Sequence, residues 1–136
     1  MRVVLDTNVV MSGLYFGGVP GKILDAWNAG RISLVLSAPV LAEYREVGHE
    51  LEARYRALDF ESFAALLVVN SEIVDAPDHL PEQVCADPDD DKFLACALAA
   101  RCNTVISGDR ALLDVSGWAG IEVLKPRMFL DRFLHG

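Results

Sequence analysis

The chain has 136 residues, of which 52% are hydrophobic, and its 20 acidic and 12 basic side chains give a net charge of −8. This length and apolar content exclude a disordered chain and allow a core that needs no disulfide or metal staple. The acidic balance argues against a simple nucleic-acid-binding protein, which is normally basic, and fits better if some of the acids are metal ligands.

Short β-branched runs ended by turn residues predict five strands, at residues 3–5, 32–36, 73–74, 104–106 and 121–124. Apolar residues at helical spacing predict helices at residues 22–29, 38 to about 47, two segments within 50–69, 91–102, 110–113 and from 126 onward. Glycine and proline predict loops at residues 13–21 and 75–90. This alternation predicts one α/β domain over residues 1–136, a three-layer sandwich with a central parallel sheet of about five strands.

The first residues of the chain and its cysteines indicate where in the cell the protein is located. Residues 1–5 are typical of a strand rather than of a secretory signal, and no apolar run approaches the roughly 20 residues of a membrane span. The cysteines Cys85, Cys96 and Cys102 show neither paired nor zinc-binding spacing. We therefore expect a cytoplasmic protein that does not associate with a membrane.

Acidic residues are predicted to meet at the carboxyl ends of the strands, where open parallel sheets bind ligands. Asp6 directly follows the first strand, and Asp109 follows the fourth strand after a short turn. Glu43 lies about one turn into the helix after the second strand, at the side of its apolar stripe. Glu46 lies nearer the opposite side of that helix, so Glu43 is the better candidate for the crevice.

Asp91 is the fourth predicted acid and begins the helix before the fourth strand. Apolar residues follow it at i+3, i+4 and i+7, which predicts that Asp91 stands on the inward face and Asp90 on a different one. The helix dipole also favours a carboxylate at this position. Asp87, Asp89 and Asp90 remain as acids that could share a metal with it.

Four carboxylates brought together would repel one another, and a hard divalent cation such as Mg²⁺ or Mn²⁺ removes that conflict. A metal held in this way deprotonates water and neutralises charge on a phosphate, so the pattern predicts hydrolysis without a covalent intermediate. Each acid also has a structural alternative: a turn for Asp6 and Asp109, solvent exposure for Glu43, and a helix cap for Asp91.

Four motifs appear in order along the chain: Val4-Leu5-Asp6-Thr7-Asn8, Ser37-Ala38-Pro39-Val40-Leu41-Ala42-Glu43, Asp87-Pro88-Asp89-Asp90-Asp91-Lys92-Phe93-Leu94-Ala95 and Ser107-Gly108-Asp109. In this order and spacing they resemble the PIN-domain nucleases, in particular the toxins of VapBC-like toxin–antitoxin pairs, and the likeness covers essentially the whole chain. The resemblance implies a PIN-like α/β sandwich with a parallel sheet.

The resemblance also implies a metal site and partners. It implies Mg²⁺ or Mn²⁺ bound by Asp6, Glu43, Asp91 and Asp109, and Asn8 and Ser107 match small polar positions that support those acids. It further implies endonucleolytic cleavage of RNA, often with homodimerisation and inhibition by an antitoxin. Because the chain is acidic, we expect that antitoxin to be basic.

Some residues outside the acidic cluster are candidates for substrate contacts. Lys92 and Arg110 adjoin predicted acids, so they are better candidates for binding phosphate than the other, scattered bases. Tyr15 and Phe16 could stack on a base or form a dimer contact. No catalytic role is predicted for the three histidines, His49, His79 and His135.

A phosphorelay receiver is the strongest alternative from another class, because it shares the size, the acidic balance and an Asp after the first strand. A receiver needs a second acid beside Asp6, where this chain has Thr7-Asn8, and an Asp directly after a central strand, whereas Asp59 lies between helical segments. An aspartyl phosphatase would need Asp-x-Asp at Asp6, and a non-catalytic module would not need all four acids. The favoured hypothesis is therefore a metal-dependent ribonuclease.

Overall fold

The computed structural model describes residues 1–56 and 58–134, so His135 lies outside the described residues. The strands are β1 (Arg2–Leu5), β2 (Ser33–Ser37), β3 (Glu72–Val74), β4 (Thr104–Ile106) and β5 (Glu122–Leu124). The helices are α1 (Thr7–Tyr15), α2 (Gly18–Asn28), α3 (Ala38–Tyr55), α4 (Phe60–Asn70), α5 (Asp91–Ala100), α6 (Arg110–Leu113) and α7 (Pro126–Phe133). Short 3₁₀ turns occupy Pro88–Asp90 and Trp118–Gly120.

The five strands form one parallel sheet, as predicted from the sequence, and the structure shows their order to be β3-β2-β1-β4-β5. The chain moves from β1 outward through β2 to β3 and then returns to β4 on the other side of β1. The topological switch point therefore lies between β1 and β4, and open α/β sheets bind ligands beyond the carboxyl ends of the strands at such a point. Leu5 pairs with Ile106, so the residues that follow both strands are level with each other.

Consecutive buried residues in the central strands show that both faces of the sheet are covered. Val3, Val4 and Leu5 are all buried, although neighbouring residues of a strand point to opposite faces. All three residues of β4 are buried as well. These strands are continuous apolar runs because helices flank the sheet, which confirms the predicted α/β fold. In the described part of the chain, no helix is both long enough and apolar enough to cross a membrane.

The prediction of a loop over residues 13–21 is wrong for most of that segment. Helix α1 continues through Gly13 to Tyr15, and α2 already begins at Gly18. A Cβ atom on Gly13 would lie 2.8 Å from the carbonyl oxygen of Pro20 and 2.9 Å from a methyl carbon of Leu24. Glycine is present at this position because the two helices pack closely, not because the chain turns there.

Helix α3 is also longer than its predicted end before Gly48. It runs through Gly48 to Tyr55, so residues 50–55 belong to α3 and the rest of the predicted helical region is mostly α4. The ring of Phe60, which is fully buried, lies where a side chain at Gly48 would be, with ring atoms 2.4 Å from an added Cβ. A glycine that looks like a helix terminator in the sequence thus makes room for the packing of α4 on α3.

Candidate active site

Asp6 lies at the switch point, directly after β1, and its side chain is almost completely buried. The hydroxyl of Ser107, which follows β4, donates a hydrogen bond of 2.6 Å to Oδ2 of Asp6. The same hydroxyl accepts the backbone N–H of Asp109 at 2.9 Å. Ser107 therefore joins the ends of the two strands and contacts Asp6 directly.

Asp90 and Asp109 form the second part of the cluster. The carboxyl group of Asp90 is 9% exposed, lies within hydrogen-bonding reach of Asp109, and has an Oδ2 atom that is buried without a partner among the described residues. Asp109 caps α6, because its Oδ1 accepts the backbone N–H of Ala111 at 3.2 Å. Asp90 thus contributes a buried oxygen that no protein group in the described structure satisfies.

The crowding of these acids changes their acidity. Burial raises the pKa of Asp6, the negative charges of Asp109 and Glu43 raise it further, and the hydrogen bond from Ser107 opposes them. Burial and the neighbouring Asp109 raise the pKa of Asp90 to about 8. Without a cation, therefore, burial and the nearby carboxylates favour the protonated form of Asp90.

Glu43 lies on the α3 side of the same edge and already has partners. The hydroxyl of Thr7, the residue after Asp6, donates to Oε2 of Glu43, and the ammonium of Lys92 lies 2.9 Å from Oε1. The neighbouring Tyr44 is fully buried and donates its hydroxyl to the carbonyl of Leu5. Helix α3 is thus attached to the end of β1, and Glu43 is held near Asp6.

Asp91 is almost fully buried, but its carboxylate accepts bonds from the preceding loop. Its Oδ1 accepts the backbone N–H of Cys85 at 2.8 Å, and its Oδ2 accepts that of Val84 at 3.0 Å. Asp90, rather than Asp91, therefore lies beside Asp109, whereas the helical spacing predicted that Asp91 would face the site. The physical reason is the 3₁₀ turn at Pro88–Asp90, where the rotation of about 100° per residue used for an α-helix does not apply.

Asp87, Asp89 and Asn8, which was predicted to support the acids, lie at the edge of the cluster. Asp87 caps the 3₁₀ turn, since its Oδ1 accepts the backbone N–H of Asp89 at 2.9 Å. The side chains of Asp87 and Asp89 are exposed, and so is that of Asn8 at the start of α1. His49 instead bonds Glu61 at 2.8 Å, on the α3–α4 surface. Capping of the 3₁₀ turn is therefore the observed structural role of Asp87. Its negative charge also helps to raise the pKa of Asp90.

The acidic side chains at the switch point have the chemistry of ligands for a divalent metal, although they are not arranged around one. Within residues 1–56 and 58–134, no three His, Cys, Asp or Glu side chains are already arranged around one point as metal ligands. The donor set nevertheless fits a hard cation, since it consists of carboxylate oxygens and includes the unpartnered oxygen of Asp90. A cation bound here would offset the negative charge that otherwise favours the protonated form of Asp90.

A comparison with known protein families identifies the family of the chain. A family model described as PIN domain (PIN_3) matches residues 2–111, a range that contains all five acids at or beside this edge, Asp6, Glu43, Asp90, Asp91 and Asp109. No curated protein matches the chain. PIN domains are typically nucleases and generally use divalent metal ions. Since the family model covers most of the sequence, the chain belongs to the PIN-domain family.

Proposed function

We propose that this PIN domain is a divalent-metal-dependent endoribonuclease that hydrolyses phosphodiester bonds in RNA. The observation that carries the proposal is the cluster of Asp6, Asp90 and Asp109 at the switch point. Burial and the nearby Asp109 raise the pKa of both Asp6 and Asp90, and one buried oxygen of Asp90 has no partner in the described structure. Such a group gains most from a bound cation, and a bound cation can activate water for phosphodiester hydrolysis.

The proposed ligands are Asp6, Asp90 and Asp109, with Glu43 as a fourth acid at the side of the site. Asp91 was predicted as a ligand from its helix position. Because two backbone N–H groups occupy its oxygens, we propose instead that it holds the loop before α5 and thereby positions Asp90. A ligand role for Asp91 stays a prediction. A comparison of Asp90 and Asp91 variants distinguishes that role from the positioning role proposed here.

In the proposed mechanism the protein positions groups and adjusts their charge. A bound Mg²⁺ or Mn²⁺ would supply an activated water and neutralise charge on the phosphate. Ser107 orients Asp6 through a 2.6 Å hydrogen bond, and Thr7 orients Glu43. Covalent catalysis by Cys85 is disfavoured, since burial and the adjacent Asp91 raise the pKa of its thiol.

The biological setting we propose is a cytoplasmic toxin of a toxin–antitoxin pair, acting as a homodimer. The support is the resemblance to VapBC-like toxins together with the net charge of −8, which suits a basic antitoxin. Expression of the chain alone in a bacterial host should arrest growth, and coexpression of a basic partner encoded beside it should relieve the arrest. Unimpaired growth with soluble, nuclease-active protein present would contradict the toxin role and leave the nuclease proposal intact.

The nuclease proposal is tested by incubating the purified chain with end-labelled single-stranded RNA in Mg²⁺, Mn²⁺ or EDTA. Internal cleavage is expected with either metal and none with EDTA. A DNA oligonucleotide of the same sequence tests whether cleavage requires ribose. The Asp6→Asn variant, prepared in parallel, controls for contaminating nuclease. Cleavage that persists in EDTA, or that is equal in the variant, would contradict the proposal. Labelling by acetyl phosphate, expected to be absent, tests the receiver alternative.

A further inference from the structure

Lys92 is a positive charge inside the acidic edge that the proposed metal site does not use. Its side chain is only 15% exposed, unusually low for lysine, and its ammonium lies 2.9 Å from Oε1 of Glu43. In the described part of the chain, no other ion pair involves Asp6, Glu43, Asp90 or Asp109. Lys92 also lies two residues after Asp90, in the first turn of α5.

Anchoring Glu43 does not require the whole hydrogen-bonding capacity of Lys92. An ammonium has three N–H donors, and the contact with Glu43 uses one of them. Glu43 is also held independently, because the hydroxyl of Thr7 donates to its other oxygen. The remaining donors of Lys92 are therefore available to a second anion at the mouth of the site.

A phosphate approaching this edge would otherwise meet mainly negative charge. The chain carries a net charge of −8, and the loop acids Asp78 and Asp89 lie near enough to Lys92 to raise its pKa together with Glu43. Arg110, the other base beside a predicted acid, is exposed and forms no ion pair among the described residues, so its position is less defined. Lys92 is the base whose charge is held in place beside the acids.

We infer that Lys92 is a substrate-binding residue, whose ammonium donates to a non-bridging phosphate oxygen of RNA while it keeps its ion pair with Glu43. This inference rests on the proposed ribonuclease function. It gives this acidic protein a fixed positive charge at the site that attracts the RNA backbone.

The test measures RNA binding rather than cleavage. Binding of fluorescein-labelled single-stranded RNA is followed by anisotropy over a series of salt concentrations, in an Asp6→Asn background where cleavage is expected to be about 10³-fold slower. Adding Lys92→Met should weaken binding about tenfold and make the slope of log K against log[salt] shallower by about 0.7, the loss of one phosphate contact on a single strand. Lys92→Arg should restore most of the slope, because guanidinium also binds phosphate.

Arg101→Met is the matched control, because Arg101 is an exposed base at the other end of the same helix, about 14 Å along the axis from Lys92. It should leave the slope unchanged, and thermal unfolding should show that all variants fold. If the wild-type chain cleaves RNA but Lys92→Met keeps the parental slope, this inference is overturned and the proposed function stands. If the wild-type chain neither binds nor cleaves RNA, both fail.

Discussion

The acidic edge of the sheet has two parts that handle negative charge differently. In the β1–β4 part, formed by Asp6, Asp90 and Asp109, carboxyl groups face one another, and a serine hydroxyl is the one side-chain donor that the described residues supply. In the α3 part, Glu43 has both a hydroxyl donor in Thr7 and a cation in Lys92. The two parts belong to one edge, yet only the second carries its own counter-charge.

This difference assigns separate tasks to the two parts. Crowded carboxyl groups without a cation either keep protons or bind a metal, and in the first part burial and the neighbouring Asp109 raise the pKa of Asp90 to about 8. A carboxylate already paired with lysine has much less need of a metal. We therefore place the metal in the β1–β4 part and contact with substrate phosphate in the α3 part.

The largest expected effect follows from removing a charge from the β1–β4 part. Asp6→Asn should lower RNA cleavage by about 10³-fold, because it removes a proposed ligand and leaves the developing charge on the phosphate less stabilised. Its metal-free form should unfold at the same temperature as wild type or higher, since repulsion among the acids is relieved. The matched control Asp25→Asn changes an exposed acid on α2 and should be silent. Near-normal cleavage by Asp6→Asn would remove Asp6 from the mechanism.

The next effect separates two neighbouring acids. Asp90→Asn should lower cleavage and Mn²⁺ affinity by about 10²-fold without lowering the free energy of unfolding. Asp91→Asn should lower the free energy of unfolding by about 1–3 kcal/mol, because its amide group would face the backbone N–H of Val84 or Cys85 and leave a donor unsatisfied. Activity assays, metal titrations and denaturant curves check this. The reverse pattern would return Asp91 to its predicted role as a ligand.

A smaller effect is the pH dependence of stability without metal. The pKa of Asp90 is raised from 3.8 to about 8, so between these values the folded state binds more protons than the unfolded state. Stability must then fall as pH rises through this window. Metal-free wild type should lose several degrees of melting temperature between pH 5 and pH 8 by calorimetry, Asp90→Asn should lose less, and Mn²⁺ at pH 8 should restore the loss. Equal pH profiles for the two proteins would contradict the assigned crowding.

The smallest effects concern the α3 part. Glu43→Gln should reduce cleavage about tenfold, since the charge that holds the Lys92 ammonium is lost while the Thr7 hydroxyl can still be accepted. Glu46→Gln should be silent, because Glu46 is exposed one turn farther along α3. Steady-state kinetics on one labelled RNA compare the two. A larger loss for Glu46→Gln would show that the assigned face of α3 is wrong.

Much of the architecture could be predicted from local patterns. The β-branched runs located all five strands, and Pro126 marked the start of α7. Gly13 and Gly48 are exceptions, because glycine is typical of turns but both residues lie inside helices. Their role depends on Pro20, Leu24 and Phe60, which come from other elements and press against the helix at those positions. A sequence pattern does not reveal such a neighbour.

The sequence by itself determined the parallel α/β fold and the order in which acids follow the strands, because hydrophobic periodicity and strand-ending residues are local properties. Only the tertiary structure decided which carboxylates meet. Asp90 and Asp91 are adjacent in the chain, yet one faces Asp109 and the other accepts N–H groups from residues 84 and 85. The direction of each side chain is set by a 3₁₀ turn and by hydrogen bonds to a loop, and both form only when the chain has folded.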